Sequence, residues 1–160
     1  MRKKRIMIIG PGKSGKTALA ACLEDSSDIR RVQNMVYRKV TLDTPGAYLE
    51  SPWMHKHLIA AAQDASCVVM TVDANGKREV YPPGFAKAFR VPVIGVITRC
   101  DLADGDVGGA ARQLIRAGIQ PPLYEISIHD KESIEKLRSV LAPYRPDVPQ
   151  LEKSEERREG

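Results

Sequence analysis

Eight residues, GPGKSGKT at positions 10–17, constrain this chain more than any other stretch. They follow the apolar run RIMIIG and precede the helix-like KTALAACLE. Gly10, Gly15, Lys16 and Thr17 satisfy G-x-x-x-x-G-K-[ST] in the strand, loop and helix setting that gives the pattern its meaning. Glycines let successive N–H groups turn inward and the helix N-terminus adds positive potential, so such a loop is built to receive phosphate oxygens. On this reading the amides of Gly12, Lys13 and Ser14 contact phosphate. Lys16 bridges the β- and γ-phosphates, and Thr17 offers its hydroxyl to Mg²⁺.

Apolar, β-branched runs recur along the chain with helical stretches between them: RIMIIG, RKVTLD, SCVVMTVD, VPVIGVITRCD and PLYEIS. Their near-continuous apolar character predicts strands covered on both faces, as in a parallel sheet. Alternation with helices makes the fold class α/β, a three-layer sandwich with a mostly parallel central sheet. SPWMHKHLIAAAQDA predicts one helix, capped by Ser51, with Pro52 at its first position and a stripe of Met54, Leu58, Ala61, Ala62 and Ala65. VGGAARQLIRAG groups Val107, Ala111, Leu114 and Ile115 on one face and stops at Gly118. DKESIEKLRSVLAPY starts on Asp130 and buries Ile134, Leu137 and Leu141 before Pro143. One domain is expected over residues 1–142, with 143–160 an extended, mobile tail.

A chain of 160 residues, 42% of them apolar, supports one domain with a real core. Cys22, Cys67 and Cys100 are odd in number and show no pairing pattern, which favours a reducing compartment. The charged start MRKKRIMIIG carries an apolar stretch of only four residues, too short for a signal peptide, and no run reaches membrane-spanning length. A cytoplasmic protein without membrane contact is expected. The net charge of +5 suits an anionic ligand; with 5% aromatic residues not interleaved with basic ones, nucleic acid is disfavoured as a partner.

Three further segments fall at strand ends. LDTPG, residues 42–46, places Asp43 to hold Mg²⁺ through water opposite Thr17 and the amide of Gly46 to reach a γ-phosphate. ITRCD, residues 97–101, is similar to the guanine-reading N-K-x-D motif of small GTPases, with Thr98 for Asn and Arg99 for Lys. There Asp101 would accept two hydrogen bonds that adenine cannot supply, and Arg99 would lie along the base as a planar cation. EISI at 125–128 brings Ser127 to the position of a loop that touches the base.

In this order the elements resemble the TRAFAC small GTPases. More specifically, RIMIIGP, GKT, DTPGAYLESP and YPPGFAKAFRVPVIGVITRCDL are similar to the EutP/PduV family of ethanolamine and propanediol utilisation. The resemblance covers about residues 5 to 142. It implies a Ras-like P-loop NTPase fold with GTP or GDP and Mg²⁺ as ligands and supplies no defined reaction; slow or partner-dependent GTP hydrolysis is the expectation from the motifs themselves. The resemblance also implies a place in a bacterial microcompartment system, with shell or cargo proteins as partners.

Two departures bear on turnover. No threonine lies between Glu24 and Val40, and Val32 aligns where the family's first switch carries one. Ala47 stands where Ras-like enzymes place a water-orienting Gln. Hydrolysis by the isolated chain is then expected at or below about 10⁻⁴ per second, and no catalytic residue is assigned. Tyr48 and His55 read as packing or surface residues. His55 and His57 would point about 200° apart on a helix, which disfavours shared metal coordination, and they read as a surface pair. Two alternatives remain open: an interaction or scaffold protein with little or no turnover, and a small-molecule kinase that presents a γ-phosphate to an organic acid. Against the kinase, the chain has no lid-like insertion.

Overall fold

The structure, a computed structural model, describes residues 4–12, 14–26, 29, 32–76, 79–101 and 105–146. Lys13 and residues 147–160 of the expected tail lie outside the described residues. Six strands form one sheet: β1 (Arg5–Ile9), β2 (Val36–Tyr37), β3 (Thr41–Asp43), β4 (Ala65–Asp73), β5 (Val93–Thr98) and β6 (Tyr124–Glu125). Their order is β2-β3-β1-β4-β5-β6, and every pair is parallel except β2 with β3. The helices are α1 (Lys16–Glu24), α2 (Gly46–Glu50), α3 (His55–Ala62), α4 (Val107–Arg116) and α5 (Lys131–Leu141).

β1 explains the layering. Ile6, Met7, Ile8 and Ile9 are all fully buried, and the two-residue strand period sends Met7 and Ile9 to one face and Ile6 and Ile8 to the other. Met7 and Ile9 share a core with Leu58 and Ala62 of α3 and Ala110 and Leu114 of α4. Ile6 and Ile8 pack with Leu19 and Leu23 of α1 and Leu137 and Leu141 of α5. Each buried aliphatic side chain contributes about 1.5–3 kcal/mol, so the continuous apolar run that reads as a central strand is also the strongest local driver of the sandwich. The three-layer α/β sandwich expected from the sequence is the observed architecture.

Boundaries differ where local signals compete. The single helix expected from Ser51 is instead α2, a 3₁₀ turn at Pro52–Met54, and α3. Pro52 cannot donate into the ladder of α2, so that helix stops one residue before Ser51, and Ser51 makes no capping bond. Ala65 opens β4 rather than closing a helix. In RKVTLD only Thr41–Asp43 is strand: the N–H of Arg38 donates to the carbonyl of Thr41 at 2.8 Å, which turns the chain and creates the short β2. PLYEIS narrows to Tyr124–Glu125. On α4 Ile115 is 51% exposed, and Ala110 takes the core position beside Leu114.

The helix starts are better matched. Asp130 accepts the N–H groups of Glu132 and Ser133 at the head of α5, as expected of a cap. The expected boundary at 142/143 falls inside a 3₁₀ turn, Ala142–Tyr144, and the hydroxyl of Ser66 donates to the Tyr144 carbonyl at 2.6 Å.

Candidate functional site

Because β1, β3 and β5 run in parallel, their carboxyl ends open on one rim, and the loops leaving them carry the three expected motifs. Gly15 has φ +85°, a conformation that side chains rarely adopt, and it turns the loop directly into α1 at Lys16. Beneath the loop lies a buried polar network. The Thr71 hydroxyl donates to the Ile9 carbonyl at 3.2 Å and stands 3.0 Å from the Ser14 hydroxyl. The Tyr81 hydroxyl donates to the Thr71 carbonyl at 2.7 Å. A Cβ on Gly10 would fall 2.0 Å from the Thr71 hydroxyl oxygen, so this network is what requires a glycine there.

Lys16 is 8% exposed and its ammonium donates back to the Pro11 carbonyl at 3.2 Å, over the crest of the loop. Across from it Asp43 ends β3, 2% exposed. One carboxylate oxygen of Glu24, at the end of α1, accepts the N–H groups of Val40 and Thr41 at 2.9 and 2.6 Å and the Thr41 hydroxyl at 2.8 Å. These charge-assisted bonds fix the entry of β3 against the helix that leaves the phosphate loop, and so fix Asp43 relative to Thr17.

A cleft of about 480 Å³ runs along the rim, lined by Gly12, Gly15, Lys16, Thr17, Asp43 and Gly46 among others. Val32 also lines it and offers only an alkyl group. Thr17 and Asp43 both line the cleft and supply hard oxygen donors, which suits Mg²⁺ held by one or two protein ligands plus water and phosphate. Burial raises the Asp43 carboxyl above its ordinary value, opposed by the guanidinium of Arg38 and then by Lys16; a bound dication would relieve the same penalty. The residues present therefore fit the ion. Arg38 reaches Asp43 at 3.4 Å, a pairing that nothing in the local sequence pattern signals.

A second cavity of about 310 Å³ adjoins the first, sharing Gly15, Ala18 and Arg99 with it, and is walled by Thr98, Asp101, Ile128 and His129. Asp101 is exposed at its mouth. The Thr98 hydroxyl donates to the Ser14 carbonyl at 2.6 Å, so its single proton is committed to holding the phosphate loop and not to a base. Arg99 takes φ +57° and its guanidinium pairs with Asp73 at 3.0 Å, with the residue still lining both cavities. Ser127 is 5% exposed; its hydroxyl accepts the His129 N–H at 3.1 Å, shaping the turn that carries Ile128 and His129 to the cavity wall. Sequence reasoning named Ser127 and missed those two neighbours, for which only their position after the last strand was a signal.

His55 and His57 have separate partners. His55 lies 2.6 Å from the Leu49 carbonyl, while the His57 ring faces Tyr48. Among the described residues no group of three metal-ligating side chains occurs, and no described helix is long and apolar enough to cross a membrane.

Residues 3–143 match the PduV-EutP family, described as ethanolamine utilisation and propanediol utilisation. The chain belongs to the PduV-EutP family. As a member it is 33% identical to the propanediol utilization protein PduV of Citrobacter freundii, over 79% of this chain and 86% of that protein. It is 30% identical to the probable acetate kinase EutP of Escherichia coli, over 87% of this chain and 89% of that protein. In fold, this PduV-EutP chain is similar to the crystal structure of a probable GTP-binding protein engB, with a TM-score of 0.62 at 17% identity over 88% of this chain and 97% of that one. The Ras-like P-loop architecture implied by the sequence is thus the family member's fold.

Proposed function

We propose that this chain binds GTP and GDP with Mg²⁺ and hydrolyses GTP slowly or with a partner's help, serving a microcompartment catabolic system in the cytoplasm. The observation that carries the reading is the continuity of two cavities. A cleft over the glycine-rich loop adjoins a less polar pocket at the strand ends through Gly15, Ala18 and Arg99, as a phosphate chain joined to a base requires.

In this reading the amides of Gly12, Lys13, Ser14 and Gly15 bind the phosphates, together with the N-terminus of α1. Lys16, already arched over the loop, exchanges the Pro11 carbonyl for phosphate oxygens. Thr17 and Asp43 would hold Mg²⁺, which neutralises phosphate charge when bound. The amide of Gly46 meets the γ-phosphate. Asp101 accepts two hydrogen bonds from the guanine ring, which adenine, with no matching pair of donors, cannot supply. Thr98 supports the loop from below, and Arg99 and Ser127 frame the base pocket.

Titrating the purified chain with labelled GDP and labelled ADP in Mg²⁺ tests this. Preference for GDP, with loss of binding in Lys16→Ala, is the expected result; equal affinity for both nucleotides removes the guanine assignment, and indifference to Lys16→Ala removes the site.

A second reading, phosphoryl transfer to acetate, is favoured by the name of the EutP relatives. Incubation with a nucleoside triphosphate and acetate, followed by trapping of acetyl phosphate, separates it from hydrolysis. The scaffold alternative draws support from Val32 and Ala47, and predicts function in cells that survives loss of Lys16.

A further inference from the structure

Ala47 leaves α2 without a group to orient an attacking water, yet the same helix carries a carboxylate that reaches the phosphate loop. Glu50 lies one helical turn beyond Ala47, and its Oε1 accepts the N–H of Gly12 at 3.3 Å. Gly46 approaches the same residue, and a Cβ added to it would stand 2.3 Å from the Gly12 nitrogen. Gly12 is therefore close both to the backbone assigned to the γ-phosphate and to the Glu50 carboxylate. Beyond it a cavity of about 400 Å³ is lined by Gly12, Ser14, Glu50, Asn75 and Gln113. Oε1 of Gln113 is buried with no hydrogen-bond partner among the described residues.

We propose that Glu50 is the catalytic residue that orients and deprotonates the water attacking the γ-phosphate, in the place that Ala47 cannot fill. The proposal rests on the reading of the cleft as a GTP site. In the step, the water oxygen forms a bond to the γ-phosphorus as the bond to the β,γ-bridging oxygen breaks. The electron pair of that bond leaves with GDP. The water proton passes to the Glu50 carboxylate and from there to solvent, leaving inorganic phosphate. Glu50 is exposed, so its side chain has room to exchange the Gly12 amide for water when the γ-phosphate arrives.

The same chemistry separates water from a carboxylate acceptor. Acetate has no proton to lose at its attacking oxygen, and Glu50 would repel it. A base at this position therefore favours hydrolysis over transfer.

Multiple-turnover GTP hydrolysis by the full chain, Glu50→Ala and Glu50→Gln, run beside labelled-GDP titration and thermal melts, tests the assignment. We expect kcat to fall at least about tenfold in Glu50→Ala with GDP affinity within about twofold of wild type. Glu50→Gln, whose amide oxygen accepts the water's hydrogen bond but takes no proton, lies at or above Glu50→Ala and below wild type. Formation of acetyl phosphate, if wild type makes any, is not reduced by either substitution. An unchanged or faster rate in Glu50→Ala overturns the proposal, as does a wild-type rate in Glu50→Gln; a faster rate with tighter GTP binding would make Glu50 a plug on the Gly12 amide. A wild-type chain that binds GDP but turns over no GTP also overturns it while leaving the nucleotide site intact, whereas failure to bind either labelled nucleotide removes the site reading itself.

Discussion

The Arg38 guanidinium stands 3.4 Å from the carboxylate of Asp43, a cation supplied by the chain itself at the end of β3. Burial nonetheless dominates and keeps the Asp43 carboxyl raised from 3.8. A carboxyl that holds its proton more tightly in the folded state lowers stability as pH rises, because the unfolded chain ionises first. The stability of wild type minus that of Asp43→Asn should therefore fall as pH rises from about 3.8 through the folded-state value, measured as urea midpoints across pH 3–7. Mg²⁺ with GDP should recover the deficit at neutral pH in wild type and not in Asp43→Asn.

Thr98 donates to the Ser14 carbonyl at 2.6 Å and is 2% exposed. Replacing it with valine strands a buried acceptor, at a cost of about 1–3 kcal/mol. Thr98→Val should lose that much stability and bind GDP several-fold more weakly, with Thr98→Ser keeping most of both. A Thr98→Val chain with unaltered denaturant midpoint and GDP affinity would show that the bond does not hold the loop.

Gly46 approaches the phosphate loop closely enough that a methyl group would lie 2.3 Å from the Gly12 nitrogen and 2.7 Å from its Cα. Both neighbours are backbone and cannot swing aside. Gly46→Ala should destabilise by about 1–3 kcal/mol and weaken GTP more than GDP, since it displaces the amide assigned to the γ-phosphate. Parallel titrations with the two nucleotides check this.

Trp53, the single tryptophan of the chain, is 72% exposed on the 3₁₀ turn that follows α2. If binding of the γ-phosphate repositions Gly46 and Glu50, the turn moves with them. Tryptophan emission should then differ between Mg²⁺·GTP and Mg²⁺·GDP complexes, and the difference should vanish in Gly46→Ala. Identical spectra in the wild-type complexes would mean that α2 does not respond to nucleotide.

What the sequence determined by itself is whatever a few neighbouring residues can encode. Apolar continuity in RIMIIG and VPVIGVIT specified buried parallel strands, Asp130 specified the start of α5, and the glycine spacing specified a turn from strand to phosphate-type loop to helix. Those signals carry their physics locally, through side-chain period, caps and φ. Where two local signals met, as at Pro52 after a short helix, the break in the ladder prevailed over the apolar stripe. The partners inside the site were decided only by the tertiary structure. Glu50 meets Gly12 across 38 positions and Thr98 meets Ser14 across 84, because strand register brings the ends of separate strands to one rim that no window of sequence contains. Hydrogen-bond capacity is likewise spent in three dimensions: Thr98 reads as a base contact until the Ser14 carbonyl takes its only proton.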